Sequence, residues 1–576
     1  MGKIRNVMNS PEYKEIEKDV ESFVKERLKN YIPADTGKKT IHDPVWGSID
    51  YSEWEMQLID SPLFQRLRDI NQVGLAMLTY PAARHSRFEH SLGVASAAKM
   101  MCDKIDKNSN SFTIPQEIRD CIILAALVHD IGHCFYSHLS ETIYGELEAF
   151  TKLRKVFYDE LELKPKPHEI LSFIIINTKT FKDFFFDKIN YPNKGSVKRY
   201  LFQDVGCMII GQNIERANKI YSYQTAIING PFDADKLDYI KRDSLTAGLA
   251  LQYDIERLFT KIQVHTIPSD KNLIEDRLVI NFNGITAIEE LTFCKIMLFS
   301  YIYYHQKVLI SETMIKDYAY GLYELHIIDS FADFLSFTDS DILKLAEKQN
   351  DDNPFPEYGM LNLKELADNI KNRKLPKRCF EVSQASVIPL EEEIDDTSDS
   401  VMEYCQSVME KIKDGETDYT VENLRNDMIR FSSSIIRKKE AILDNLIRDL
   451  RDLTYTEMLV KRQEFYNALL EEYKKRKMNV HFNLFDIYIV FPKLVNYGST
   501  TDAVVLGKDQ QKLMTINDFV KLDDWAGSFN SNKWRGYVFV SDKVDMDVAF
   551  EVADKLVLKG KAKLKNPMAY LKGLDY

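Results

Sequence analysis

A chain of 576 residues with 45% apolar content holds enough material for a large core shared among several domains. Its formal net charge of −12 excludes a protein that coats nucleic acid by charge alone, so nucleic acid is not expected as the main substrate. No uninterrupted apolar run reaches the length of about 18 residues that a membrane span needs, so none is expected.

The seven cysteines (Cys102, Cys121, Cys134, Cys207, Cys294, Cys379 and Cys405) are odd in number and never spaced CxxC. That pattern reads as reduced thiols in a cytoplasmic protein, not as disulfides or a zinc-thiolate site.

Residues 1–35 read as a polar helix and a Pro-containing loop. Residues 38–50, KKTIHDPVWGSID, read as loop and turn. Pro44 biases Asp43 away from helix, which gives Asp43 a capping or turn-forming role. From Tyr51 to Gly74, the spacing of Leu58, Ile59, Leu63, Leu67, Ile70 and Val73 predicts one buried helical stripe, with Pro62 in a first helical turn. The polar face opposite carries Gln65, Arg66, Arg68 and Asp69.

Five of the eleven histidines fall between residues 84 and 141: His85, His90, His129, His133 and His138. Ser86 and Glu89 form a capping box, which predicts a helix through Met101 with His90 in its first turn. A second helix is expected over about 116–131, ending near Gly132. It delivers the apolar run Ile122–Val128 straight into His129-Asp130. Leaving that polar pair buried and unpaired is costly, and a metal ion would satisfy both groups. If the helix persists, His129 and His133 share a face; His138 and Glu141 can point together at i,i+3.

Residues 150–228 read as aromatic-rich helices, with His168 at the head of one, where it either enters a site or caps the helix. In NGPFDADKLDYIKRD, Asp233 is the expected N-cap. Asp235, Asp238, Tyr239, Arg242 and Asp243 then share one helix face, turned into a pocket by the apolar segments on either side. Short strands such as 277–282 and long Tyr- and Phe-rich helices follow. Strand patterns return at 486–491 and 536–540. The fold class expected is mainly α, a helical catalytic core with a smaller α+β C-terminal lobe. The expected division is 1–37 extension, 38–345 core, 346–400 linker and 401–576 C-terminal lobe.

His90, His129, Asp130 and Asp235 supply N/O ligation suited to a divalent transition metal such as Fe, Mn, Zn, Ni or Co, which lowers the pKa of water. His133, His138, Glu141 and His168 can donate a proton to a leaving oxygen. Arg87, Lys236, Tyr239 and Arg242 suit phosphate oxygens. Metal-assisted hydrolysis of a phosphate ester follows.

HSRFEH, HDIGHCFYSH and DADKLDYIKRD together resemble the H…HD…D signature of HD-domain phosphohydrolases. IHDPVWGSID, IDSPLFQRLRDINQVG and YPAARHSRFEHSLGV are similar to its dNTP triphosphohydrolase (dGTPase-like) branch, over about 39–250, without a SAM domain. The resemblance implies hydrolysis of a dNTP to deoxynucleoside and inorganic triphosphate. It implies His90, His129, Asp130 and Asp235 as metal ligands, and a second Mg²⁺ arriving with the substrate phosphates. It implies His138 as proton donor with Glu141 as its acidic partner, and His133 and His168 as further active-site histidines. Arg87, Lys236 and Tyr239 match phosphate contacts, and Gln72 and Asp243 match 3′-hydroxyl contacts. Val73 stands where a side chain excludes a 2′-hydroxyl, and Tyr304 matches a sugar-stacking tyrosine, although spacing there departs by a residue. Lys39, Asp60, Gln65 and Arg68 match a regulatory nucleotide site, which implies a dNTP effector and a homodimer or homotetramer. His42 replaces an asparagine that contacts a second effector. The competing readings are an HD phosphodiesterase on a cyclic or signalling nucleotide and a nucleotide-sensing scaffold.

Overall fold

A computed structural model describes residues 2–109, 112–192, 201–269, 273–348, 353–383, 386–390, 441–494 (apart from 443 and 452), 502–507, 512–522 and 533–565, with short pieces between 406 and 425 and between 524 and 527. The described chain is mainly helical. It forms two compact units that interleave in sequence. Met1–Pro354, Leu361–Lys374 and Val495–Ser528 make one; Phe355–Met360, Leu375–Leu494 and Phe529–Tyr576 make the other. The acidic stretch 391–400, residues 426–440 and Cys405 lie outside the described residues.

In the first unit the N-terminal segment is helical, α1 (Gly2–Asn9) and α2 (Pro11–Leu28), but it is not polar all round. Tyr13, Ile16, Val20, Phe23, Val24 and Leu28 recur at helical spacing and are buried. This stripe packs on α8 (Glu148–Leu161), α9 (Pro167–Asn177) and α10 (Lys179–Lys188).

Residues 38–50, expected as loop, instead form an antiparallel hairpin of β1 (Lys39–Asp43) and β2 (Gly47–Tyr51), with Ile41 opposite Ile49. The turn signals mark only its tip. There the Asp43 carboxylate accepts the backbone N–H groups of Val45 (2.8 Å) and Trp46 (2.9 Å), the expected turn-forming role. Gly47 takes φ +75°. After α3 (Glu53–Ile59), Ser61 caps α4 (Pro62–Gln65), and a 3₁₀ turn covers Arg66–Asp69. The stripe from Leu58 to Val73 is buried as expected.

The Ser86–Glu89 capping box starts α5 (Arg87–Asn108), which runs well past Met101. Packed on it are α6 (Gln116–Val128) and, after α7 (His138–Tyr144), α11 (Leu201–Ile209) and α12 (Ser222–Ile228), the Asp233-capped α13 (Ala234–Thr246). A sheet centres on Leu273–Asn281, paired antiparallel with Ile262–Ser269 and parallel with Val504–Leu506. A π-helical turn, Phe299–Tyr303, follows the helix Ile285–Leu298 and precedes the helix Gln306–Glu324.

The second unit is α+β. Strand Gly536–Val540 lies between Lys377–Val382 and Ile487–Val490, antiparallel to both. Helices Tyr455–Lys475 and Met546–Leu558 share its core, which includes Phe380, Leu469 and Val538. Among the described residues, no helix is long and apolar enough to cross a membrane. Six cysteines there are free and buried.

Gly93 on α5 shows how tightly α13 approaches. A Cβ at this position would lie 1.9 Å from Asp238 Oδ1 and 2.4 Å from Arg242 Nη2. Helix propensity favours alanine there by about 1 kcal/mol. Overpacking wins, however, and Gly93→Ala is expected to lower unfolding free energy by about 3 kcal/mol, read as a reduced denaturant midpoint.

Candidate metal and catalytic centre

The centre is assembled from the first turn of α5, the end of α6, the start of α13 and the residues leading into α7. His90, fully buried, projects from α5; its Nδ1 lies 2.7 Å from Asp238 Oδ2. Burial opposes ionisation of Asp238, but Arg242 and His90 bring its carboxyl down to about 2. An ionised carboxylate only accepts, so Nδ1 carries the proton and Nε2 keeps its lone pair. His129 is fixed in the same way, because its Nδ1 donates to the Ala126 carbonyl at 2.8 Å.

The two Nε2 atoms are buried and make no hydrogen bond. Around them lie Asp235 Oδ1, 3.0 Å from His90 Nε2 and 4.0 Å from His129 Nε2, and the Asp130 carboxylate, at 3.5 and 3.4 Å. Burial works against charge on His90, yet Asp235 and Asp238 raise its imidazole to about 10. That shift favours a proton on His90 Nε2, which a divalent ion would displace; two unpartnered Nε2 atoms beside two carboxylates then form a pit that fits such an ion, with histidines oriented by partners behind them. Thus His90, His129 and Asp235 come together as a set able to hold a metal, with Asp130 alongside.

Next to this pit, Glu141 Oε1 meets three imidazoles: His138 Nδ1 at 2.7 Å, His168 Nδ1 at 2.9 Å and His133 Nδ1 at 3.4 Å. His133 and His168 stack with centroids 3.9 Å apart. Burial would raise the Glu141 carboxyl, but His168 and His138 hold it well below the usual carboxylate range. His138 is 61% exposed, whereas His133 and His168 are buried. It is therefore the imidazole of the three that an incoming ligand can reach. His168 enters the site rather than merely capping α9.

The expected continuation of α6 does not occur; it ends at Val128, with His129 as its C-cap. Gly132 is required by close approach, since a Cβ would lie 2.4 Å from Ser172 N and 2.5 Å from His168 O. Residues 129–137 are held instead by side chains from elsewhere. Ser172 Oγ donates to His129 O at 2.6 Å. Arg66, assigned to a polar face by spacing, is in fact buried; it donates through Nη1 to His133 O (2.8 Å) and through Nη2 to Ile131 O (2.6 Å). The helical stripe stops being a guide where α4 tightens into a 3₁₀ turn. Asp339 accepts from the backbone N–H groups of Tyr136 (2.5 Å) and Asn71 (2.9 Å).

Arg87 is buried and donates to Asp130 Oδ2 (2.6 Å) and Ser137 Oγ (2.8 Å). Lys236 Nζ donates to Asp233 (2.5 Å) and to the Gly230 carbonyl (2.8 Å). Tyr239 is half-buried beside Asp235 in the same helix. Arg242 bridges Asp43 (2.9 Å) and Asp238 (2.8 Å) behind His90, away from a phosphate-binding role.

Asp243 receives the Tyr303 hydroxyl and lies 2.7 Å from His85 Nε2. Tyr303 lies in the π-helical turn, and both it and Tyr304 pack on Phe299. Gln72 and Val73 are each 8% exposed, and Gln72 Oε1 is buried without a partner. His85, Arg66, Asp238, Asp339 and Tyr303 were given no role by sequence reasoning. The clustering of histidines in 84–141 already included His85, and the i,i+4 pair Asp238–Arg242 was visible. Nothing local marked Arg66 or Asp339. Lys39 lies 3.7 Å from Asp60, and Arg68 donates to Gln65 at 2.7 Å, while Gln65 Nε2 donates to Ile59 O.

The "HD domain" family model matches residues 87–183, and the "HD associated region" model matches 254–443. An uncharacterised protein of Methanocaldococcus jannaschii is 30% identical over 279 residues, 48% of this chain and 48% of that one. The deoxynucleoside triphosphate triphosphohydrolase SAMHD1 homolog of Dictyostelium discoideum is 27% identical over 393 residues, 67% of each. The SAMHD1 enzyme of Bos taurus is 26% identical over 250 residues, 41% of this chain and 40% of its own. The match thus spans about half or less of two of these three relatives. A crystal structure of a hypothetical protein from Aquifex aeolicus has a TM-score of 0.54 at 19% identity, covering 89% of this chain and 99% of that one, and so shares the fold.

The chain thus carries an HD domain followed by an HD-associated region. The chain is, more particularly, homologous to the SAMHD1 deoxynucleoside triphosphate triphosphohydrolases and to related HD proteins.

Asp339 carries a pH signature. Burial raises its carboxyl to about 7, although the N–H groups of Tyr136 and Asn71 pull the other way. The folded state therefore holds a proton that the unfolded chain, with a carboxyl near about 4, gives up. Its contribution to stability is present below pH 4 and is lost as pH rises to about 7. Relative to Asp339→Asn, the wild-type protein should lose stability between pH 4.5 and 7.5, read from urea midpoints across about that range.

Proposed function

We propose that the chain hydrolyses deoxynucleoside triphosphates to deoxynucleoside and inorganic triphosphate. The observation that carries this reading is the pair of unpartnered, buried Nε2 atoms of His90 and His129, set beside exposed His138 and its buried partner Glu141. Together they put a cation site next to a proton donor, as phosphate-ester cleavage requires. His90, His129, Asp130 and Asp235 would hold the metal, drawn from Fe, Mn, Zn, Ni or Co, with Mg²⁺ accompanying the substrate phosphates. A bound divalent ion supplies Lewis acidity, polarising a phosphoryl oxygen and lowering the pKa of water.

The remaining chemistry belongs to the side chains. Water gives up a proton to solvent as its oxygen bonds to the α-phosphorus, the bond from that phosphorus to the 5′ oxygen breaks, and His138 delivers a proton to the departing oxygen. Burial lowers the His138 imidazole from its ordinary value; Glu141 opposes this and keeps the ring oriented, with His168 fixing the carboxylate in turn and His133 stacked on His168. Lys236 and Tyr239 face the phosphates at the start of α13, and Arg87 holds Asp130 in place while lying close to them. Gln72 and Asp243 offer hydrogen bonds to a 3′-hydroxyl, and Val73 leaves an apolar floor that disfavours a 2′-hydroxyl. Tyr304 stacks on the sugar, and Tyr303 braces this end of the site through Asp243. Lys39, Asp60, Gln65 and Arg68 form the proposed effector site, at which a dNTP would promote assembly into a homodimer or homotetramer.

The purified protein, given each dNTP singly and in pairs with Mn²⁺, is expected to release tripolyphosphate. Release of pyrophosphate, or cleavage of cyclic nucleotides alone, would sink the proposal. Asp130→Ala should reduce turnover to the uncatalysed background while leaving the circular dichroism spectrum unchanged. Tyr303→Phe should lower kcat/KM about tenfold through the lost hydroxyl contact to Asp243, with Tyr304→Phe close to wild type.

A further inference from the structure

A second site lies at the opposite end of α9 from His168. Asn177 is nine residues along the helix from that histidine, about 13 Å by helical rise. There α1, α2, α9, α10 and α11 surround a cavity of about 400 Å³, within the size range of small-molecule sites. Among the described residues that line it are three cations (Arg5, Lys14 and Lys182) and no carboxylate.

In a chain with 88 acidic and 76 basic residues, three cations converging on one cavity with one acid, Glu17, beside them is not the average surface. Lys14 is neutralised by Glu17 at 2.5 Å. Among the described residues, Arg5 and Lys182 enter no ion pair. Burial lowers the Lys182 ammonium from its ordinary value; Glu17 opposes this and Lys14 adds to it. An anion beside Lys182 would relieve that cost.

The walls add a second kind of recognition. Phe186 and Phe202 meet edge to face, with centroids 5.3 Å apart, and form an aromatic side to the cavity. Asn177, 6% exposed, is tethered by Nδ2 to the Phe173 carbonyl at 2.9 Å, so its amide is held at the cavity's edge. Cations, an aromatic wall and a fixed amide match phosphate, a flat ring and a polar ring edge.

We propose that this cavity binds a nucleoside phosphate, its phosphates on Arg5 and Lys182 and its base against Phe186 and Phe202, separately from the metal centre.

Equilibrium dialysis of the full chain with labelled ADP in EDTA tests this directly. One bound ADP per chain should be lost in Lys182→Met, with affinity at the cavity falling about tenfold or more as a charge-assisted contact goes. Gln203→Trp, which fills the cavity without removing a cation, should lose the same site. Both variants should keep wild-type turnover of whatever substrate the metal centre accepts, and Asp130→Ala should keep this ADP site. Unchanged ADP stoichiometry and affinity in Lys182→Met would overturn the proposal even if Gln203→Trp failed to fold. Displacement of ADP by a short single-stranded oligonucleotide at much lower concentration would overturn it in favour of a nucleic-acid contact.

Discussion

One buried carboxylate organises the catalytic unit. Asp238, with no exposed surface, receives His90 Nδ1, the Arg242 guanidinium and the indole N–H of Trp46 at 2.6 Å. Three elements, α5, α13 and the β1–β2 hairpin, are thereby tied at a single point. Arg242 also reaches Asp43, which shapes the hairpin turn. Burying such a cluster is favourable only when each charge is paired and hydrogen-bonded. Every lone pair used behind His90 is then one that cannot compete for Nε2. The same contacts that hold the helices together leave a lone pair aimed at the pit, so folding and site assembly are one event.

A different logic holds the segment between α6 and α7. Residues 129–137 carry two of the candidate metal-holding groups, His129 and Asp130, and lead to His138, yet they have no regular secondary structure to fix them. Tyr136 and Ser137 take positive φ, a conformation that non-glycine residues adopt at a cost. The surroundings impose it: Arg66 and Ser172 take the carbonyls, and Asp339 takes the Tyr136 amide. Buried backbone groups must be paired, and here the pairing is done by side chains distant in sequence. Precision at the centre therefore depends on residues that touch no reacting atom.

The parts legible in the sequence were those with a local physical signal. The Ser86–Glu89 box placed α5 and with it His90. Asp233 placed α13, and i,i+3 spacing joined His138 to Glu141. The reading failed where local and tertiary preferences diverge. The hairpin at 39–51 looked like loop because its strands are short and half-exposed. The first helices looked polar because a buried stripe on a charged helix raises mean hydropathy only slightly. The contact of Tyr303 with Asp243 went unread because a π-helical turn has no strong sequence mark.

The sequence alone determined the chemistry available: two imidazoles and two carboxylates in an H…HD…D order, an acidic partner for His138, and a helical frame to present them. Those follow from residue type and periodicity, which act over a few residues. Only tertiary structure decided that Arg242 lies behind the centre, that Arg66 is buried against the loop, and that His85 and Tyr303 converge on Asp243. Each depends on which distant backbone or charge a long side chain meets, and that is set by packing.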